Sequence, residues 1–325
     1  MAIKKRQPGL VSTIIPVYNR AELVVEAINS VLSQTYRPIE IIVVDDGSTD
    51  NTISVLKSLE MNHPELRVMT QANAGPGVAR DLGRKSAAGE FIQYLDSDDL
   101  LLPKKFQLQV EALNRNPDCD LAYGKTESTM IGEPLKGIAL KRTGLKVSAM
   151  FPSFLRSRWW STSTPLHRSS VLDNVGPWLP LSNEEDWEYD CRVASLGGRL
   201  AYVDDFVSNT RRHDDHLSFH GATDIGKLKN RCVAQQHIYQ HASSYLRIEN
   251  RLTEITQSDW TFFSKAVFLL ARQCAAVGLE KQSKEMIELS VSASGGMTFK
   301  HRIFLVLVTV FGWANAAKII SRVGR

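Results

Sequence analysis

Three aspartates, Asp96, Asp98 and Asp99, with Ser97 as the only residue among them, follow the apolar run Phe91, Ile92, Tyr94 and Leu95. The run is short and rich in strand formers, so it reads as a buried strand that empties into carboxylates. In α/β folds the carboxyl edge of the sheet is where ligands bind. Acids this close repel one another unless a cation or solvent relieves them. Hard divalent cations such as Mg²⁺ and Mn²⁺ take oxygen ligands and commonly bridge a carboxylate to substrate phosphates. The plainer alternative is a solvated acidic turn capping the next helix, since Asp and Ser are good N-cap residues. A second strand, Ile39 to Val44, also runs into acids, Asp45-Asp46-Gly47-Ser48-Thr49-Asp50. Two strands that end in acids at one edge argue better for a cation-assisted anion site than either does alone.

The elements that must position these groups alternate along the chain. Leu10 to Ile15 is an apolar strand stopped by Pro16, and Leu23, Val24, Ala27, Ile28 and Val31 recur at helical spacing. Ile39 to Val44 is apolar throughout, as a strand covered on both faces must be. A helix carries Leu56 and Leu59, a short strand spans 67–70, and a glycine-bearing loop, Asn73 to Gly77, precedes a helix over 78–88. The βαβαβαβ order predicts a parallel, right-handedly wound sheet. The first strand leads into Pro16-Val17-Tyr18-Asn19 and not a Gly-x-Gly-x-x-Gly turn, which speaks against a dehydrogenase; a P-loop sequence is absent too.

Composition narrows the class. With 43% hydrophobic and 23% charged residues over 325 positions, the chain is globular, with one large domain or two ordinary ones. A net charge of +4 gives no case for nucleic-acid binding. Cys119, Cys191, Cys232 and Cys274 lie far apart with no Cys-x-x-Cys pair, against a zinc site or disulfide framework. The amino terminus is basic without a long apolar run, so no signal peptide is expected and the cytoplasm is the expected compartment.

Four ordered segments, VSTIIPVYNR (11–20), IIVVDDGSTDNT (41–52), AGPGVARDLGRKSAAGEFIQYLDSDD (74–99) and NEEDW (183–187), together resemble the family 2 inverting glycosyltransferases of GT-A fold, over roughly residues 10–215. One departure is Asp81, where the family usually has Asn. The resemblance implies a metal-dependent transfer of a sugar from a nucleotide donor, most simply a UDP-sugar, to a hydroxyl of a glycan or lipid-linked acceptor, in cell-surface polysaccharide synthesis. It implies that Pro16 and Tyr18 border the base and ribose and that Asp46 accepts a hydrogen bond from the base. Arg80 would lie near that pocket or the diphosphate, and Asp96 by the ribose and the metal's water shell. Asn19, Ser48, Gly75 and Ser97 complete the nucleotide-sugar set. Asp98 would ligate Mn²⁺ or Mg²⁺, with His213 reaching the metal or phosphates. Asp45 is expected to cap its strand end, and Asp99 to cap a helix starting at Leu100 or else to substitute as a metal ligand.

Inversion needs a carboxylate to take the acceptor's proton as the hydroxyl attacks; the resemblance assigns this to Asp186, with Trp187 beside it at the acceptor and Glu185 binding the acceptor or supporting Asp186. These acids would equally suit the first turn of the helix carrying Trp187, Cys191 and Ala194. Trp160, in Arg158-Trp159-Trp160, is a sugar-stacking candidate or a packing anchor. Residues 125–150, including Lys136, Lys141, Arg142 and Lys146, read as a mobile loop. Within 211–218 the best metal candidate is His213, ahead of His216. The expected layout is a catalytic domain over 1–220, with nucleotide-sugar binding to about 102 and acceptor binding after it, then a helical extension over 221–325. In that extension Ile303 to Ala317 is apolar but short of a membrane span, and it is flanked by Lys300, Arg302, Lys318, Arg322 and Arg325. A basic-flanked apolar helix fits peripheral contact with an anionic membrane, at the inner face of the plasma membrane, or packing on the catalytic domain. The rival readings are a nucleotide-sugar-binding assembly partner without catalysis, and a nucleotidyltransferase, whose Gly-rich basic phosphate loop is absent.

Overall fold

Strands that are apolar on both faces must lie inside a layered sheet, and β1 (Gln7–Val17) and β2 (Ile39–Asp45) do. The computed structural model describes residues 6–213 and 223–323. β1 pairs in parallel with β2 on one side and β4 (Gly89–Tyr94) on the other, and β2 pairs with β3 (Leu66–Thr70). Val11 and Ile15 of β1 and Ile41 and Val43 of β2 join one core with Val24, Ala27, Ile28 and Val31 of α1 (Ala21–Leu32), Leu56 of α2 (Thr52–Asn62) and Phe106, Val110 and Leu113 of α4 (Lys105–Arg115). Each of the buried Val, Ile, Leu and Phe side chains among them contributes about 1.5–3 kcal/mol. The opposite face packs on α3 (Pro76–Ser86), where Gly83 lacks a Cβ because one would meet Ile14 Cγ2 at 2.5 Å.

The full sheet runs β3-β2-β1-β4-β7-β6-β8-β5. Its winding reverses between β1 and β4, which opens a crevice at the carboxyl ends of those strands. Beyond β4 the sheet is mixed: β7 (Leu166–Arg168) is antiparallel to both β4 and β6, whereas β6 (Leu121–Met130) is parallel to β8 (Leu200–Arg212). A short α6 (Ser169–Val175) follows β7.

Two expectations fail here. No helix starts at Leu100: Leu100–Leu101 form β5, antiparallel to β8, and α4 begins at Lys105. The loop expected over 125–150 loses its first part to β6. Those positions look polar because their side chains pair in the interior: Thr126 Oγ1 lies 2.6 Å from Thr164 Oγ1 and 2.9 Å from Ser208 Oγ. The helix expected over 78–88 is α3, shifted toward Pro76, which sits at its first turn.

This sheet unit comprises Met1–Met150, Trp159–Pro180 and Leu196–Asp214, and a second unit comprises Phe151–Arg158, Leu181–Ser195 and Asp215–Arg325. The helical part therefore takes in more than the expected tail. It contains α5 (Ser153–Arg156), α7 (Glu185–Ser195), α8 (Ile225–Tyr245), α9 (Gln257–Ala276) and α10 (Glu280–Ser294). The apolar stretch from Ile303 is broken at Gly312 (φ 76°) into α11 (Phe299–Phe311) and α12 (Trp313–Val323). His301 and Phe304 of α11 pack edge-on to Phe268 of α9, at centroid distances of 4.7 and 5.7 Å. Among the described residues no helix is long and apolar enough to cross a membrane.

Candidate active site

The loop after β1 is tied to the loop after β2. Asn19 adopts φ 50°, a left-handed conformation that Asn tolerates better than most residues. Its backbone N–H donates to Ser48 Oγ (2.9 Å), and its Oδ1 accepts from the Thr49 N–H (2.8 Å). Asp45 accepts from the Ser48 N–H at 3.2 Å and is the expected strand-end cap. Pro16 is buried, while Tyr18 is 45% exposed. Asp46 is buried and gathers the loop before α3: Gln71 Nε2 (2.7 Å) and the Ala74 N–H (2.9 Å) donate to Oδ1, and the Gly75 N–H (2.8 Å) to Oδ2. Gly75 makes that turn at φ 92°, a region that glycine enters freely. A carboxylate has about four lone-pair sites, so Asp46 keeps one for a donor such as a base N–H.

The aspartates after β4 are each relieved differently. Asp96 accepts from Arg80 Nη2 at 2.7 Å, and the Arg80 guanidinium lies over the Trp178 ring, 4.7 Å from its centroid. Asp98 is ion-paired with Arg20, and His213 Nε2 lies 2.9 Å from its Oδ2. Burial opposes ionisation of Asp98, but Arg20 and His213 outweigh it and hold the carboxyl below its usual range. Asp99 is buried and accepts from the Arg211 N–H (3.0 Å), Ser163 Oγ (3.0 Å) and Thr210 Oγ1 (3.3 Å). Burial first, then the charges of Asp98 and Asp96, push its carboxyl well above the usual range. Asp99 thus braces the turn against β8 and caps no helix. Ser97 is buried in the same turn.

A divalent metal fits here by its donor set. An aspartate oxygen and an imidazole nitrogen converge at Asp98 and His213, and the Arg20 guanidinium already places a cation against that oxygen. Oxygen with imidazole suits Mn²⁺ better than Mg²⁺, which prefers oxygen alone. His216 lies outside the described residues, as do Asp214, Asp215, Leu217 and Ser218.

The second carboxylate group stands on α7. Asp186 occupies the first turn; its Oδ1 accepts from the Trp187 N–H (2.7 Å) and its Oδ2 from Arg158 Nη1 (2.5 Å). Arg158 Nε also reaches Asp190 Oδ2 at 2.7 Å, so the guanidinium bridges two acids one helical turn apart. Glu185 is buried, and Trp187 Nε1 donates to the Phe154 carbonyl at 2.7 Å. Glu184, at φ 59°, enters the helix with its side chain held by Arg231 Nε (2.8 Å) and Gln235 Nε2 (2.9 Å) of α8. Burial raises the Glu184 carboxyl, with Arg231 opposing.

Trp160 is corrected. Its exposure is 0%, and with Trp159 it packs around Tyr123, so it anchors the interior and presents no face to a sugar. Arg20 and Arg158 carry no sign of these roles in the sequence, where they stand beside a Tyr-Asn turn and a tryptophan pair; only their paired aspartates reveal them.

Residues 12–166 match Glycosyl transferase family 2. An uncharacterized glycosyltransferase, alr2836, of Nostoc sp. is 31% identical over 239 residues, 68% of this chain and 70% of that protein. One of Rickettsia felis is 40% identical over 147 residues, 45% of this chain. The chain spans about a quarter to a third of the length of the rickettsial relatives, 24–34%. Escherichia coli chondroitin synthase is 38% identical over 122 residues, 38% of this chain and 18% of that protein. The crystal structure of S. aureus TarS residues 1–349 in complex with UDP-GlcNAc superimposes with a TM-score of 0.68 at 18% identity, covering 97% of this chain and 92% of that one. The likeness establishes the fold as GT-A, a mixed α/β sheet with helical flanks and a helical carboxyl-terminal region.

The Asp98 pairing has a pH signature. Its carboxyl is depressed relative to the unfolded chain, so its stabilisation is complete above the unfolded pKa of about 3.9 and is lost as pH falls through the folded value. At neutral pH, Asp98→Asn should cost about 2 kcal/mol in urea unfolding. The wild-type and variant curves should converge on acidification below about pH 4; parallel curves would contradict the pairing.

Proposed function

The chain belongs to glycosyltransferase family 2, and on that footing we propose that it moves a sugar from a UDP-sugar to a hydroxyl of a glycan or lipid-linked saccharide, with inversion, in cell-surface polysaccharide synthesis. The observation that carries this reading is the cation-paired Asp98 at the carboxyl edge of β4 beside the Asp46 loop. The named relatives agree with it: the TarS structure holds UDP-GlcNAc, and the E. coli homologue is a chondroitin synthase, a polysaccharide-making enzyme by name.

In this reading Asp46 and Tyr18 receive the base and ribose, with Asn19 and Ser48 holding that loop pair in register. Asp98 and His213 hold a divalent ion, Mn²⁺ in preference to Mg²⁺, which when bound neutralises charge developing on the departing diphosphate. Arg20 supplies positive charge at the same carboxylate, and Arg80 keeps Asp96 in place. Asp186 takes the acceptor hydroxyl's proton as that oxygen attacks the anomeric carbon. Arg158 fixes one Asp186 oxygen, leaving the remaining lone pairs for the proton. Glu185 and Trp187 flank the acceptor. No covalent intermediate is needed.

Membrane contact belongs to the same reading. Phe299, Ile303, Val306 and Val310 form an exposed stripe along α11, reaching 75% exposure at Phe299 and 64% at Val310. Exposed Lys300, Arg302 and Lys318 flank it, and no acid follows Lys300. Apolar residues rimmed by cations suit an anionic lipid surface, at the inner face of the plasma membrane.

Two outcomes are expected. Asp186→Asn should bind UDP as the wild type does yet release UDP from a UDP-sugar, with saccharide acceptors present, about 10²–10⁴-fold more slowly. Undiminished turnover would remove Asp186 as base, and absence of turnover in the wild type with UDP still bound would favour a non-catalytic binding partner. In co-sedimentation, vesicles containing phosphatidylglycerol should carry the wild type down and Val306→Asp much less. Equal behaviour of the two, or no binding, would exclude α11 as a lipid contact.

A further inference from the structure

Away from the aspartate turn, Glu188 of α7 faces His237 and His241 of α8, and one ligand atom from each lies within 4.8 Å of the other two. We propose that these three residues form a second divalent transition-metal site, with Zn²⁺ as the ion it suits best. His237 and His241 stand four apart on α8, so both rings leave one helix face. Their centroids are 6.1 Å apart and the planes only 27° from parallel. His241 Nε2 is 2.8 Å from Glu188 Oε1. Glu188 is buried, and Arg192 holds both its oxygens, Nη2 at 2.6 Å from Oε2 and Nε at 3.0 Å from Oε1.

The geometry is close to what an ion requires. Metal–ligand bonds of about 2.0–2.2 Å in a tetrahedron place ligand atoms roughly 3.4 Å apart. That falls between the 2.8 Å of the Glu188–His241 pair and the 4.8 Å bound on the cluster. Binding needs His241 to yield and His237 to close in, both within side-chain freedom. Two imidazoles and one carboxylate are a donor set for Zn²⁺ and not for Mg²⁺ or Ca²⁺, which take oxygen. Ligating carboxylates are normally oriented by hydrogen bonds from outside the ligand set, and Arg192 supplies them. The two rings are half-buried, so solvent can provide a fourth ligand.

An ion pair alone accounts for Glu188, Arg192 and His241. It gives no role to His237, which has no hydrogen bond among the described residues yet turns its ring to the same carboxylate. An ion would use both imidazoles and tie α7 to α8. The site stands apart from the transferase reading, because none of its ligands belongs to the donor or acceptor set.

Co²⁺ is the probe, because tetrahedral Co²⁺ absorbs in the visible and Zn²⁺ displaces it silently. The untagged full chain carrying Asp98→Ala removes the other metal candidate. Expected is a visible band that saturates at about one equivalent, is discharged by Zn²⁺ and lacks thiolate charge transfer, which excludes Cys232 and Cys274. Zn²⁺ should also raise the melting temperature. Adding His237→Ala should abolish both effects; should the double variant misfold, wild type against His237→Gln reads the same difference. No band, a band with thiolate charge transfer, or a band indifferent to His237 would overturn the site.

Discussion

Mutual repulsion among Asp96, Asp98 and Asp99 is the constraint to which much of the sheet unit answers. Unrelieved, these carboxylates could not sit together with two of them buried. Each is met by a partner from a different part of the chain: Arg80 from α3, Arg20 from the N-cap of α1, and the Arg211 backbone with Ser163 and Thr210 around Asp99. β5 and β8 pair so that Arg211 arrives where it can also donate from Nε to the Asp98 carbonyl at 2.5 Å. The result is a turn held from several sides, with positive charge set against its carboxylates. Charges held in place are what electrostatic catalysis draws on, since they need not reorganise during reaction.

Much of this was legible in the chain. Doubly apolar strands, acids at two strand ends, and a glycine–proline helix start led to β1–β4 and α1–α3 with small boundary errors, because local pattern and tertiary role agree there. The errors fall where tertiary pairing overrides local pattern. Leu100 and Leu101 were too short a strand to show period, and only β8 makes them one. β6 hid behind threonines, and the Thr126 hydroxyl is satisfied inside. Trp160 carried no mark to separate packing from stacking. Arg20 and Arg158 could be found only through their partners, since an arginine's role depends on which carboxylate it meets.

The region expected to be an appendage after residue 220 holds the carboxylate helix by charge. Arg231 and Gln235 of α8 grip Glu184 at the mouth of α7, and His241 meets Glu188 one turn further on. With Arg158 bridging Asp186 and Asp190, α7 is held on several sides. The helical region is therefore part of what orients Asp186, and substitutions on α8 bear on the proposed base without touching substrate.

The central claim, that Asp98 anchors a metal-assisted nucleotide site, is tested most directly by calorimetric titration of UDP with and without Mn²⁺, on wild type and Asp98→Ala. The account predicts binding that needs both Mn²⁺ and Asp98. UDP binding of equal affinity without the metal, or to the variant, would contradict it.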